Sequence, residues 1–226
     1  MKPDRYLVRY EGGKFRLLCR SAKIGLKSKI VAKSFTFVNY NPMKFKDMIK
    51  IAVVGPESTG KSWMTEKLAS HYGTLFVPEY AREYCKDLNR QYTLEDEVNI
   101  FRGQVRLEDS LMEKSEKDLL FCDTMILTVK IWCDHLFGGT PGEITREIRS
   151  RHYDLFLLMD IDLPWQDDSL RDFPHLRHHF MDIWHRELTS LSARYQVISG
   201  TGEDRFLNAR QVCDELLGSS LTSLTL

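Results

Sequence analysis

The segment Gly55-Pro56-Glu57-Ser58-Thr59-Gly60-Lys61-Ser62 has the spacing G-x-x-x-x-G-K-S, and each residue type in it suits a polyphosphate. Glycines at both ends let backbone N–H groups turn inward where a helix begins, and the unpaired donors and helix dipole there already favour an anion. In this reading Gly55, Glu57, Ser58, Thr59, Gly60, Lys61 and Ser62 form the nucleotide cradle. Lys61 reaches the β- and γ-phosphates, and the Ser62 hydroxyl reaches Mg²⁺. A metal-bound nucleotide also needs a carboxylate, and Asp123 closes the apolar run Leu119-Leu120-Phe121-Cys122. That is the shape of a buried parallel strand ending at the metal, so Asp123 is the second metal-ligand candidate. The implied cofactors are ATP or GTP, with Mg²⁺.

Two further constellations carry acceptor chemistry. Glu79-Tyr80-Ala81-Arg82-Glu83 puts two carboxylates and an arginine just past an apolar run, and Glu79 shares a helical face with Arg82 and Glu83. Glu79 is the first choice to orient or deprotonate an acceptor hydroxyl, with Asp123 as the alternative base. Trp165-Gln166-Asp167-Asp168-Ser169-Leu170-Arg171 is polar and lies between prolines, as a lid that closes on phosphates would be. Arg171 and Arg177 are placed to neutralise charge on the transferring group. His175 and His179 have metal-ligand spacing, although no cysteine or second motif supports a metal there.

These groups need a sheet whose strand ends share one edge. Apolar runs at 49–54, 74–78, 118–123, 153–160 and 195–200 alternate with helical patterns at 63–72, from 94, at 125–137, at 143–151, from about 176 and from 206. Thr93-Leu94-Glu95-Asp96 forms a capping box ahead of a long amphipathic helix. Such alternation predicts an α/β fold: five parallel strands with helices on both faces and right-handed crossovers. In open parallel sheets, ligands lie beyond the strand C-termini, which puts the 79–83 segment on the same edge as the phosphate loop. Trp132 reads as core.

A chain of 226 residues suits one such domain plus a tail. Its five cysteines include no C-x-x-C pair, which argues against a disulfide framework or a zinc ribbon and for a reduced, cytoplasmic protein. No apolar run is long enough for a membrane span. The zero net charge hides an asymmetry: residues 1–47 hold twelve Lys/Arg against three Asp/Glu. This basic leader is open to three readings: an arm for nucleic acid, a transit segment, or a poorly packed tail ahead of a domain at 48–226. Within it, Tyr6-Leu7-Val8 and Phe35-Thr36-Phe37-Val38 could pair as strands.

Two classes fit these features: a small-molecule kinase and a regulatory nucleotidase read by a protein partner. The acceptor-side carboxylates and the lid arginines favour the kinase. The set formed by the phosphate loop, Glu79-Tyr80-Ala81-Arg82-Glu83, Asp123-Thr124 and Trp165 to Arg171 resembles the nicotinamide riboside kinase domain of the bacterial NadR-type NAD-salvage proteins, within the wider P-loop kinase and AAA-like ATPase family. The resemblance spans residues 48–218. It implies a P-loop kinase fold and transfer of the ATP γ-phosphoryl to the ribose 5′-hydroxyl of nicotinamide riboside. It also implies that Tyr80, Arg82, Glu83, Trp165 and Asp168 shape the nucleoside pocket, and that Ser199 to Gly202, with Thr201, border the adenine. Ser169 stands where the family pattern has a glycine. Another nucleoside, a nucleoside monophosphate or a thiamine-like cation would satisfy the same residues. The expected partner is a small-molecule substrate, not a membrane or a nucleic acid.

Overall fold

The computed structural model describes residues 6–11, 14–19, 48–168 and 171–222, and the chain divides into two units, 1–43 and 44–226. In the first unit β1 (Tyr6–Glu11) and β2 (Lys14–Cys19) pair antiparallel, with Tyr6 opposite Cys19 and Glu11 opposite Lys14. The expected strand at Tyr6 is therefore present, but among the described residues its partner is the adjacent β2 and not the 35–38 run expected to pair with it, because a two-residue connection brings Lys14–Cys19 alongside it first. Phe35 to Val38 lie outside the described residues, as do Ser169 and Leu170.

The second unit is built on β3 (Ile49–Val54), α1 (Lys61–Tyr72), β4 (Phe76–Val77), α2 (Tyr80–Cys85), α3 (Leu94–Lys114), β5 (Leu119–Asp123), α4 (Ile126–Phe137) and α5 (Gly142–Ser150). It continues through β6 (Leu155–Met159), a 3-10 turn at Pro174–Leu176, α6 (Arg177–Ser190), β7 (Tyr195–Ile198) and α7 (Gly202–Thr222). The five strands β3 to β7 form one parallel sheet in the order β4-β5-β3-β6-β7. This is the expected α/β architecture.

Period-two alternation in β3 divides the core. Ala52 and Val54 face a layer that includes Ile100, Phe101, Val129, Phe180 and Trp184, while Ile51 and Val53 face Met64, Leu68, Phe206 and Ala209. Helices therefore cover both faces, which lets β3, β5 and β6 be apolar nearly throughout. Register then places the chemistry. Val53 pairs with Asp123 on one side and Leu157 on the other, so Asp123 lies at the sheet edge where β3 runs out into the glycine loop.

Local signals set the helix ends. Gly73 caps α1 at φ 62°, with its N–H donating to the Ser70 carbonyl at 3.2 Å. At the start of α3 the Asp96 carboxylate accepts from the Thr93 N–H at 2.8 Å. The far end of the sheet holds a buried polar network. The Glu108 carboxylate accepts from Lys50 Nζ at 2.9 Å and from the Tyr153 hydroxyl at 2.6 Å, and lies 3.1 Å from Arg151.

Candidate nucleotide and acceptor site

The loop between β3 and α1 depends on close backbone approach. Gly55 has φ 138°, and a Cβ there would lie 2.9 Å from the Met159 carbonyl oxygen, so only glycine fits beside β6. Gly60 caps α1 at φ 79°. Ser58 takes φ 58°, an uncommon conformation for a residue with a side chain and one that tends to occur at functional loops. Pro56 anchors the loop from inside: its carbonyl accepts from Thr59 Oγ1 at 2.9 Å and from Lys61 Nζ at 2.8 Å.

The electrostatics converge at the same point. Burial pushes the Lys61 ammonium down, opposed by attraction to Glu79, Asp123 and Glu57. Burial, with the nearby Glu79 charge, pushes the Asp123 carboxyl up to about 6, against a hydrogen bond from Ser62 and attraction to Lys61 and Arg82. Asp123 Oδ1 is buried without a hydrogen-bond partner. An orphaned carboxylate oxygen next to a serine hydroxyl is the donor set a hard divalent cation takes, so Ser62 and Asp123 fit Mg²⁺. Among the described residues no group of three His, Cys, Asp or Glu is placed to hold a metal. His175 falls in the 3-10 turn and His179 in α6, where its ring packs near His135 and Phe180.

Glu79 caps α2, and its carboxylate pairs with Arg82 Nε at 3.0 Å. Arg82 Nη1 continues to Asp168 at 3.0 Å, linking α2 to the 163–176 segment. Tyr80 and Glu83 are placed differently. The Tyr80 ring packs on Gly103 of α3, where any Cβ would stand 2.0 Å from it, and its N–H donates to Gln104 Oε1 at 2.8 Å. Glu83 is exposed. Neither residue lines the cavity described below.

Residues 163–168 and 171–176 are folded down on the phosphate loop. The Gln166 N–H donates to Ser58 Oγ at 2.8 Å, and the Phe173 N–H to the Glu57 carboxylate at 3.3 Å. Arg171 donates to the Gln166 carbonyl at 2.5 Å and reaches Ser58 Oγ at 3.5 Å. Arg177 donates to the carbonyls of Leu163 at 2.8 Å and Ser58 at 3.2 Å. Trp165 is half-buried, its indole N–H held by Asp167 at 2.7 Å.

Arg205, which sequence reasoning did not single out, ties this end together. It is 1% exposed on α7 and donates to the carbonyls of Thr59 at 3.3 Å, Asp160 at 2.8 Å and Gly200 at 2.8 Å, with Asp162 as its carboxylate partner. An arginine inside a helical pattern carries no motif, so its burial is invisible until α7 packs beside the loop. Thr201 stands at the start of α7, exposed, its carbonyl 3.4 Å from the Arg205 N–H and outside the cavity wall.

A cavity of ≈ 760 Å³ is walled by the phosphate loop, by Glu79 and Arg82, and by residues of α3 and α4. Its far end is aromatic, with Tyr92, Trp132 and Phe137 in the wall, and Phe173 and Phe180 beside Trp132 lead back towards the loop. Trp132 is thus a half-buried wall residue as well as a packing one, its ring 5.6 Å from Phe173 and 5.1 Å from Phe180. Glu97, also missed in the sequence because it reads as an ordinary acid in a first helical turn, lines this far end with 2% exposure.

Comparison with known proteins fits this geometry. The chain is 24% identical over 221 residues to the trifunctional NAD biosynthesis/regulator protein NadR of Salmonella typhimurium, an alignment covering 86% of this chain and 53% of the relative. It therefore spans about half the length of the curated relative it matches. In fold it is similar to the crystal structure of NadR protein in complex with NR, with a TM-score of 0.64 and 20% identity over 76% of this chain and 52% of the other. A second NadR structure, in complex with NAD and AMP-PNP, superposes with a TM-score of 0.63 and 21% identity over 77% of this chain and 51% of the other. The loop, Asp123, the arginine segment and Arg205 all fall within residues 50–205, which match the AAA domain family, and the chain belongs to that family.

Proposed function

We propose that residues 48–226 form a kinase domain that transfers the γ-phosphoryl of ATP to the ribose 5′-hydroxyl of nicotinamide riboside. The observation that carries this reading is one cavity whose wall includes the phosphate loop, the Glu79–Arg82 pair and a set of aromatic rings. A switch-type nucleotidase needs only the first of these. The NadR resemblance supports the nicotinamide nucleoside as occupant of the cavity. Among the described residues no helix is long and apolar enough to cross a membrane.

Phosphoryl transfer relies on positioning and electrostatics more than on covalent chemistry by the protein. Backbone N–H groups of residues 57–62 take the β- and γ-phosphates, and Lys61 exchanges its bond to the Pro56 carbonyl for phosphate oxygens. Ser62 and Asp123 would hold Mg²⁺, which when bound would neutralise phosphate charge. Glu79, poised at the start of α2 by Arg82, orients the acceptor hydroxyl and takes its proton, with Asp123 as the alternative base. Arg171 and Arg177 keep the 163–176 segment over the loop, excluding water and aligning the γ-phosphoryl. Arg82, which binds Asp168, borders the nucleoside, while Trp165 and Asp168 lie outside the cavity lining, and Thr201 borders the adenine.

ADP release by purified protein with Mg-ATP tests this. It should be slow alone and rise by orders of magnitude with nicotinamide riboside, because water lacks the binding energy that aligns an acceptor. Lys61→Ala should abolish the stimulated rate and leave the melting temperature within a few degrees, since its one hydrogen bond is to a loop carbonyl. Stimulation by ordinary nucleosides alone would keep the kinase and discard the substrate. Stimulation by none would favour the regulatory nucleotidase.

A further inference from the structure

Glu97 belongs to a stripe of α3 that faces the cavity: Glu97, Ile100 and Gln104 are spaced by three and four residues and all line it. Gln104 accepts from the Tyr80 N–H at 2.8 Å and donates to the Pro78 carbonyl at 3.3 Å, which places it next to Glu79 at the acceptor end. Seven residues of helix advance about 10 Å. That is the reach of a nucleoside whose 5′-oxygen sits at Glu79 and whose base sits at Glu97.

The charge at this far end is unusual. Asp96, the preceding residue, is fully engaged: Arg90 binds it in a fork at 2.5 and 2.7 Å, and Thr93 and Tyr84 also donate to it. The Tyr92 hydroxyl favours the Glu97 carboxylate, which has, among the described residues, no cationic partner. Around it stand apolar and aromatic groups, with the Tyr92 and Phe137 rings stacked at 6.3 Å. A carboxylate buried in this way is costly unless a positive charge joins it. Flat aromatic rings in the same cavity wall suit a planar aromatic cation.

We propose that Glu97 is the specificity residue of the acceptor pocket, pairing its carboxylate with the positive charge of a pyridinium base held among Tyr92, Trp132 and Phe137. This rests on the nicotinamide riboside reading above and moves recognition of the cation from Glu83 and Asp168 to α3. Glu83 is exposed, and Asp168 is bound to Arg82 and faces Arg171. The groups facing Glu97 leave its titration distinct. Burial pushes Tyr92 upward and pushes the Cys85 and Cys133 thiols to about 11 and about 12, so all three stay protonated near neutrality. Arg90 holds Asp96 well below the usual carboxylate range, so it stays ionised. Glu97 itself is pushed up to about 7 by burial and by Asp96, against the Tyr92 hydrogen bond.

The test compares nicotinamide riboside with its neutral 1,4-dihydro form, nearly the same shape without the charge. Binding is measured by calorimetry from pH 6 to 8 with a non-hydrolysable ATP analogue present, and phosphorylation is assayed in parallel. The wild type should prefer the cation, and its affinity for the cation should rise through about pH 7 as Glu97 ionises, while the neutral nucleoside shows no such rise. Glu97→Gln should cut the cation-to-neutral ratio by roughly tenfold or more. Tyr92→Phe removes a bond that favours the carboxylate and should move the midpoint to higher pH. A folded Glu97→Gln protein with an unchanged ratio overturns the assignment and leaves the kinase reading in place if the wild type still phosphorylates nicotinamide riboside. If Glu97→Gln does not fold, a wild-type affinity that is flat between pH 6 and 8 overturns it. A wild type that binds and phosphorylates neither nucleoside overturns both.

Discussion

Arg177 donates to the carbonyl oxygen of Ser58 at 3.2 Å, so the first residue of α6 is fastened to the phosphate loop at its left-handed turn. The same guanidinium holds the Leu163 carbonyl at 2.8 Å. One side chain therefore bridges both ends of the covering segment and the loop beneath it. Its Nε is buried without a partner.

Arg177→Ala should lower kcat by about two to three orders of magnitude, since it removes the anchor of the covering segment and a positive charge bound directly to the phosphate loop. Arg177→Lys should recover part of this, because an ammonium supplies the charge but not the two-pronged bridge. Steady-state kinetics in both substrates check the prediction. An Arg177→Ala enzyme with wild-type kcat would remove Arg177 from the phosphoryl-transfer machinery.

Asp123 makes the protein sensitive to pH without nucleotide. Its carboxyl is raised from an ordinary 3.8 to about 6, so the folded chain holds a proton that the unfolded chain has already lost. The favourable contribution is complete below about pH 4 and disappears as pH rises through about 6, at most about 3 kcal/mol. Asp123→Asn should therefore melt a few degrees higher than wild type at pH 8, with the gap closing towards pH 4, while phosphoryl transfer is lost. Scanning calorimetry of both proteins across that range would refute this if the gap were independent of pH.

The network at the opposite end of the sheet carries stability without chemistry. Glu108 is buried and holds Lys50, Arg151 and Tyr153, while the phosphate loop follows the other end of β3. Glu108→Ala strands two cations near the core and should cost about 3–5 kcal/mol. Denaturant melts should show the loss, and turnover per folded molecule at low temperature should stay near wild type. A mild effect on stability would mean that water or rearranged neighbours replace the carboxylate.

Much of this molecule is written in local pattern. The G-x-x-x-x-G-K-S spacing determines a strand, a tight loop and a helix because glycine alone tolerates φ 138° within 2.9 Å of the Met159 carbonyl. The Thr93 and Asp96 pair marks the start of α3 because the capping contact spans only three residues. The apolar runs ending at Val54, Asp123, Met159 and Ile198 specify a buried parallel sheet, and a parallel sheet brings their ends to one edge. Asp123 beside the loop follows from those rules without any knowledge of packing.

What only the tertiary structure decided is which way the flanking side chains turn. A six-residue helix such as α2 has too few turns to reveal its buried face, and Gly103 of α3, by leaving room for the Tyr80 ring, sets its rotation. Glu97 and Arg205 carry charges that periodicity assigns to solvent, yet packing buries one at the end of the acceptor cavity and the other beneath the phosphate loop. His175 and His179 look like one helical pair, but they are separated by the change from 3-10 turn to α6. In each case the deciding contact lies far along the chain, and the free energy of filling space between elements outweighs the local preference of the residue.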